Sequence, residues 1–402
     1  MKIGIIGGGA AGFFAAITAA ETSNTNSITI LEKSPNVLSK VRISGGGRCN
    51  VTNADSDIKE FVKFYPRGSK ELISVFSKFS NIDTIEWFIK RGVELKTEND
   101  GRVFPVSNNS QTVIDLFTNL ASKHNIKIIT GFDAYSVSFS GGVFIVKDRK
   151  GNSLSFDKLL VSVGGFSTPD KYRWVSGLGH KIIPPVPSLF TFNCKDTILK
   201  GLQGISVENV RVKIRDTELS TDGDILITHW GLSGPAVLKL SAFGARILNE
   251  RNYKFILEVC WTKADIHKEL SRTQGSSPHK QFIKHPLENI PMRLWESLVL
   301  HSGIKPDKRF NELSKKDAEA INNILTRTQF NINGKSTFKE EFVTAGGVCL
   351  KEVDFRTMES KIVPSLYFAG EILEIDGVTG GFNFQSAWST GYIAGQSMAR
   401  QD

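Results

Sequence analysis

Apolar positions in this chain change their period several times, and each change marks an element. KIGIIGG (2–8) is a continuous β-branched apolar run closed by glycines, the pattern of a strand in a buried parallel sheet. AAGFFAAITAAET (10–22) is alanine-rich and predicts a helix, and SITILEK (27–33) predicts a second strand that ends at Glu32. Together they make one βαβ unit in about 30 residues. Residues 56–96 predict mostly helix, with FSNIDTIEWFIKRG (79–92) amphipathic and closed by Gly92. QTVIDLFTNLASKHN (111–125) predicts a further helix and IKIITG (126–131) a further strand. From FDAYSVSF onward, period-2 alternation between glycine-rich turns predicts a meander that ends in the buried strand KLLVSVGG (158–165).

PPVPS (184–188) punctuates the chain, and its character then changes. Residues 189–262 are strand-rich. Residues 263–329 are polar and helical in tone, broken by Pro278, Pro286, Pro291 and Pro306. Strands return at 330–350, and the chain closes with a strand in KIVPSLYFAGEI (361–372) and a helix in FQSAWSTGYIAGQSMA (384–399). There is no internal repeat. The organisation predicts a nucleotide-binding domain that is interrupted by an insertion and completed by the C-terminus.

Composition narrows the class without naming a chemistry. With 40% hydrophobic and 23% charged residues among 402, the chain is globular and long enough for two or three domains. The apolar start is broken by Gly7, Gly8, Gly9 and Gly12 and has no cleavage site, so it is not read as a signal or membrane segment. Cys49, Cys194, Cys260 and Cys349 form no CxxC pair, which argues against zinc, disulfides and a dithiol motif and fits a reducing cytoplasm. The net charge of +9 is mild, and part of it lies in 261–310 without a dense basic run carrying interleaved aromatics. That stretch is read as a solvated face rather than an RNA-binding one, so neither nucleic acid nor a membrane is expected as partner. Oligomeric state is left open.

Gly7-x-Gly9-x-x-Gly12 follows the first strand and opens the helix, and Glu32 lies 20 residues past Gly12. In that context the glycines let backbone approach a pyrophosphate on the helix N-terminus, and the acid accepts hydrogen bonds from ribose. An acid at this place fits FAD or NAD, because it would repel a 2′-phosphate. Three more glycine-rich stretches occur: SGGGRCN (44–50), LLVSVGGFSTP (159–169) and LYFAGEILEIDGVTGGFNFQSAW (366–388). A simple dehydrogenase does not need the last of these. The pattern resembles flavoproteins that wrap FAD in an N-terminal Rossmann unit and close over the flavin with C-terminal residues. That resemblance implies that Gly370 and Glu371 meet the ribityl or phosphate portion and that Gly380-Gly381-Phe382-Asn383 borders the flavin ring. The helix beginning near Phe384 then aims its positive end at the flavin N1/O2 edge.

The resemblance becomes specific over SKVRISGGGRCNVTN, GRVFPVSNNSQTVIDLF, ITHWGLSGPAVLKLS, EFVTAGGVCLKEVDFRTMESKIVPSLYFAGE and DGVTGGFNFQSAWSTGYIAG. Over essentially its whole length the chain is similar to the BaiN-like (YhiN-like) NAD(P)/FAD-dependent oxidoreductases, a family with members named as aminoacetone oxidase and as bile-acid enone reductase. The resemblance implies an α/β fold in three parts. A discontinuous Rossmann-type FAD-binding domain takes 1–188 and 344–402, a β-barrel-like insertion takes 189–262 and 330–343, and a small helical domain takes 263–329. The candidate cofactor-binding residues are Gly7, Gly9, Ala10, Ala11, Gly12, Glu32, Lys33, Lys40, Ser44, Gly45, Gly46, Gly47, Arg48, Asn50, Ala134, Gly164, Gly165, Gly370, Glu371, Gly381, Phe382 and Asn383. One departure is Phe382, where the family pattern leads one to expect tyrosine.

The catalytic candidate is His229 in ITHWGLSGP, as a proton donor during hydride transfer or as a residue that places its loop. Arg48 is read as pairing with the cofactor pyrophosphate or a substrate anion, Cys49 as a packed side chain rather than a redox thiol, and Asp376 as a cap near the final helix. Only one dinucleotide fingerprint is present, so the electron donor is NAD(P)H bound transiently, or dioxygen reoxidises a substrate-reduced flavin. The expected activity is a cytoplasmic FAD-dependent oxidoreductase that passes hydride through flavin N5 to or from a small organic or steroid-like substrate. Its rivals are a flavin-containing RNA-associated protein and a flavin-bound redox sensor without turnover.

Overall fold

The computed structural model describes residues 1–55, 57–287, 290–336 and 343–400. The chain divides into two compact units, Met1–Ser188 with Lys339–Asp402, and Leu189–Phe338. The first unit is built on a seven-stranded sheet whose five parallel strands, in spatial order, are Leu366–Phe368, Lys158–Val161, Lys2–Ile6, Ser27–Glu32 and Lys127–Thr130, with the short antiparallel strands Glu359–Ser360 and Val353–Asp354 beyond Leu366–Phe368. Ile3, Ile5, Ile30, Leu159, Leu160 and Val161 have no accessible surface, which is why these strands read as apolar runs without alternation. The strand after Lys2–Ile6 in sequence lies on one side of it and Lys158–Val161 on the other. The connections therefore diverge at its carboxyl end and leave a crevice there.

Helix Ala10–Thr22 runs back from that crevice and packs along the C-terminal helix Phe382–Ala399. The approach is so close that a Cβ at Gly391 would lie 2.6 Å from the Ala11 carbonyl oxygen, and one at Gly395 would lie 2.4 Å from that of Ala15. Phe14, Trp87, Phe117 and Trp388 pack around the pair with ring centroids 4.5–6.2 Å apart. The polar groups buried with them are paired. Gln385 accepts from Thr52 Oγ1 at 2.6 Å and donates to Thr84 Oγ1 and Ser389 Oγ at 2.9 and 2.8 Å, while Trp388 Nε1 donates to the Val51 carbonyl at 2.9 Å. These bonds lock the start of the C-terminal helix to the segment that follows SGGGRCN.

PPVPS stands at the end of the first unit's N-terminal part and is itself part of a strand. Ile182–Ser188 is a strand paired antiparallel with Val343–Val348, and its register shifts between Ile183 and Val186, where Pro184 and Pro185 sit. In a two-stranded ribbon a bulge accommodates two adjacent residues that lack an N–H.

The second unit carries a seven-stranded antiparallel sheet in the order Thr328–Asn333, Lys254–Cys260, Ser206–Ile214, Ser220–Ile227, Gly231–Ser233, Thr191–Asn193, Lys335–Ser336. Helices Ile266–Ser276, Met292–His301 and Lys315–Arg327 share one buried cluster with it, running from Leu257 and Trp261 to Leu294, Trp295 and Ile321. Among the described residues no helix is long and apolar enough to cross a membrane.

A buried histidine gives the first unit a pH dependence. His180 is 2% exposed, with Nδ1 3.1 Å from Glu352 Oε2 and Nε2 2.9 Å from Ser360 Oγ. Ser360 Oγ already accepts from the Ile362 and Val363 N–H groups, so its proton goes to Nε2 and the ring is neutral with its hydrogen on Nδ1. Burial is the larger influence and holds the His180 pKa below its ordinary 6.5, against the opposing pull of Glu352. A depressed folded-state pKa means that this contribution to stability is present above about pH 6.5 and is lost as pH falls through the lower folded value. The melting temperature of wild type should therefore drop more between pH 7 and pH 5 than that of His180→Gln. Equal drops in the two proteins would refute this.

Candidate functional site

The crevice at the end of Lys2–Ile6 opens into a cavity of about 580 Å³. Gly7, Glu32, Lys33 and Ala134 line it, together with Phe132, Tyr135, Arg149, Val163, Phe166 and Trp174. The three fingerprint glycines have distinct positions. Gly7 is left-handed at φ +111°, and a Cβ there would lie 2.4 Å from the Ser162 carbonyl oxygen. Gly12 sits under the turn, where a Cβ would lie 2.0 Å from the Gly7 oxygen. Gly9 has nothing within 4 Å of a Cβ position, so its bare backbone faces open space at the start of the helix. Glu32 anchors the far side: Oε2 accepts from Gly8 N at 2.9 Å, and Oε1 accepts from Ser34 N and Ser34 Oγ at 2.8 and 2.6 Å. A carboxylate offers about four lone-pair directions, so these bonds orient it and leave capacity for a further donor.

SGGGRCN turns along the same unit. Ser44 leaves helical geometry, and Gly45, Gly46 and Gly47 follow in left-handed conformations at φ +57°, +68° and +84°. Three such residues in sequence are inexpensive only for glycine. Gly46 and Gly47 face open space, whereas a Cβ on Gly45 would meet the Phe104 ring at 2.9 Å. Arg48 is turned to Glu98, with Nη1 2.7 Å from Oε1, and its guanidinium lies 3.9 Å from the Phe104 ring centre. Its charge is thus already paired within the protein. Cys49 is fully buried, and burial pushes its thiol up to about 12, so it is not a thiolate at neutral pH.

Two C-terminal stretches complete the arrangement. Glu371 Oε2 is 2.6 Å from Lys40 Nζ, and its Oε1 accepts from Thr344 N at 3.0 Å beside Gly164 and Gly165. A Cβ on Gly165 would lie 2.6 Å from the Thr344 side chain, and one on Gly370 3.0 Å from the Ala11 methyl. Ala10 opens the neighbouring helix. The 376–383 loop is held from several sides. Gly377 N donates to Asn383 Oδ1, and Asn383 Nδ2 donates to the Gly377 carbonyl, both at 2.8 Å. In the amide orientation that satisfies both of its ends, Asn50 accepts from Gly381 N at 3.0 Å.

Asp376 is fully buried, receives both an Nε–H and an Nη2–H of Arg67, and accepts from Ser188 Oγ at 2.8 Å. Burial raises its pKa and Arg67 opposes the rise. It is a buried anchor of the loop, not a helix cap: the residue capping Phe382–Ala399 is Gly381.

Some sequence candidates lie elsewhere. The Phe382 side chain is buried among Phe61, Phe64 and Tyr65, stacked on Phe64 with centroids 4.5 Å apart, and its carbonyl accepts from Tyr65 Oη at 2.6 Å. The ring therefore does not face open space, so the tyrosine-to-phenylalanine difference falls in the core. His229 belongs to the Leu189–Phe338 unit, exposed on the turn between Ser220–Ile227 and Gly231–Ser233. Sequence reasoning missed Phe166, Trp174, Tyr135 and Arg149, whose only signal was proximity to the Gly164-Gly165 doublet for Phe166. It also missed Arg67, which nothing local distinguishes from a surface arginine.

A glycine-fingerprint crevice, an acid closing it and a C-terminal helix returning to it define a protein with a Rossmann fold of the FAD-binding type. The chain belongs to the HI0933-like protein Rossmann domain family, whose model matches residues 1–397. It is similar to the ribosomal RNA dihydrouridine synthase of Escherichia coli K12, at 28% identity over 98% of this chain and 97% of that one. It is equally similar to the 3-dehydro-bile acid delta(4,6)-reductase of Clostridium scindens, at 28% over 100% and 99%. In fold it is similar to a 3-ketosteroid-delta4-(5alpha)-dehydrogenase of Rhodococcus jostii RHA1, with TM-score 0.53, 13% identity and coverage of 99% and 96%.

Proposed function

We propose that this chain binds FAD in its first unit and uses it to add hydrogen across a carbon–carbon double bond conjugated to a carbonyl. The observation that carries the cofactor reading is the division of labour among the fingerprint glycines: a Cβ at Gly7 or Gly12 would run into backbone, Gly7 lines the crevice, and Gly9 leaves open space at the start of the helix. In this reading Gly9 and the first N–H groups of Ala10–Thr22 hold the diphosphate, Glu32 the ribose, and Lys33, Ala134 and Phe166 the adenine end. Lys40, Gly46, Gly47, Gly164, Gly165 and Glu371 follow the middle of the molecule, and Asn50, Gly381 and Asn383 its ring. FAD, when bound, supplies two-electron hydride chemistry. The chain orients it, and the N-terminus of Phe382–Ala399 favours negative charge placed before it.

The bond type rests on the two curated relatives. Making dihydrouridine from uridine, and saturating a 3-dehydro bile acid at delta-4,6, both add two hydrogens to an alkene conjugated to a carbonyl. A hydride adds to the β-carbon and a proton to the α-carbon, and NAD(P)H supplies the electron pair. His229 is the proposed proton donor. The RNA in one relative's name brings the RNA-associated reading back as a substrate class beside steroid-like enones.

Purified protein should be yellow with near-equimolar flavin, and anaerobic NADH or NADPH should bleach it. A 3-keto-Δ4 steroid or a uridine-containing RNA should then restore the colour and leave as product heavier by two hydrogens. Colourless protein that takes up no FAD sinks the cofactor reading. Flavin reoxidised only by dioxygen sinks the alkene reading.

A further inference from the structure

On the second unit, Trp230 is 61% exposed, the most exposed large hydrophobic side chain among the described residues. Its backbone is not loose. Thr228 Oγ1 accepts from Trp230 N and Gly231 N, both at 3.2 Å, Thr228 N donates to the Gly231 carbonyl at 2.8 Å, and Cys194 N donates to the Trp230 carbonyl at 2.9 Å. Gly231 lies so close to the neighbouring strand that a Cβ would be 2.2 Å from the Phe192 oxygen. A rigid turn thus carries most of a broad aromatic side chain into solvent.

Sheet register brings cations to the same end. Gly231 pairs with Asn193, so exposed Lys195 follows just beyond that pair. Gly204 N donates to the Ile227 carbonyl at 2.8 Å, which sets the turn containing exposed Lys200 beside Trp230's own turn. Exposed Arg293 donates through Nη2 to the Gly201 carbonyl of that same turn. The nearby acid Asp196 is used as a cap, accepting from Ile198 N at 2.9 Å. The sequence of this unit holds 22 Lys and Arg against 16 Asp and Glu. An open aromatic face bordered by cations suits a stacked base with phosphates on either side. A steroid, apolar on both faces, calls for a concave apolar pocket instead.

We propose that the Thr228–Gly231 turn is a docking site for single-stranded RNA, with a base stacked on Trp230 and phosphates near Lys195, Lys200 and Arg293. The inference rests on the alkene-reduction reading and narrows its substrate class to a pyrimidine presented by RNA. The test is titration of the full-length flavin-loaded protein with a single-stranded uridine-rich oligonucleotide, followed by Trp fluorescence and by anisotropy at several salt concentrations.

Wild type should bind with a steep salt dependence, Trp230→Ala should lose roughly five- to 150-fold in affinity, and Trp230→Phe should stay close to wild type. Lys200→Ala should reduce the salt slope by about one. Flavin content and melting temperature, measured on the same preparations, should be little changed in Trp230→Ala because most of the side chain is exposed. Absence of salt-dependent RNA binding, or equal affinity in wild type and Trp230→Ala, overturns the docking site even if the protein is yellow and NAD(P)H-reducible. A colourless protein that still binds RNA through Trp230 overturns the FAD reading alone.

Discussion

Gly9→Ala should leave the folded protein nearly as stable as wild type while FAD uptake falls by roughly tenfold or more, the cost of one displaced diphosphate contact. Gly9 has φ −96°, which any residue adopts, and a Cβ there meets nothing within 4 Å. The melting transition should therefore move by no more than about 1 kcal/mol, an allowance that covers alanine's weakness as an N-cap. In the proposed mode of binding, the added methyl occupies the space through which a diphosphate reaches the helix N–H groups. Gly12→Ala supplies the contrast. Its Cβ would lie 2.0 Å from the Gly7 carbonyl oxygen, a backbone atom, so stability and FAD uptake should fall together. Thermal unfolding of the apoprotein and equilibrium titration with FAD separate the two effects. Unimpaired binding in Gly9→Ala would remove the diphosphate from this crevice.

Arg67→Ala should destabilise the first unit by about 3–5 kcal/mol, the range for stranding one partner of a buried ion pair. Asp376 is inaccessible to water, and without Arg67 its carboxylate keeps the hydrogen bond from Ser188 Oγ but has lost its countercharge. Burial already raises the Asp376 pKa and Arg67 restrains it, so removing Arg67 lets it climb further. A carboxyl with a raised folded-state pKa loses stabilisation as pH rises through that value. The deficit of Arg67→Ala should thus be larger at pH 7 than at pH 5. The double variant Arg67→Met/Asp376→Leu should recover most of the loss, since neither charge then remains to be buried. Denaturant unfolding at the two pH values measures all three expectations. A single variant within about 1 kcal/mol of wild type would show that the pair does not anchor the loop.

Much of the fold was legible because its signals are local. The step from KIGIIGG to an alanine-rich helix to SITILEK specifies a βαβ unit within one stretch of chain, and glycine at 7 and 12 is required by backbone geometry at those very positions. Cys49 could be set aside from its isolation in the sequence, and its burial agrees. Arg48 and Phe382 could not be placed in the same way. One is turned to Glu98 and the other into an aromatic cluster, and both outcomes depend on partners that no spacing rule connects to them. PPVPS was legible as punctuation, and the first unit does end at Ser188, but only the partner Val343–Val348 shows that its prolines lie in a strand.

By itself, then, the sequence determined the nucleotide-binding start, the return of the chain in a glycine-flanked C-terminal helix and the family. The first two follow from backbone requirements and apolar periodicity over short windows, and the family follows from resemblance over the longer motifs. Only the tertiary structure decided which side chains meet: Arg67 with Asp376, Asn50 with Gly381, Phe166 and Trp174 at the cavity wall, and Trp230 left in solvent. Those pairings join residues far apart in sequence or depend on what fails to cover a surface, and packing of the whole unit is what settles both.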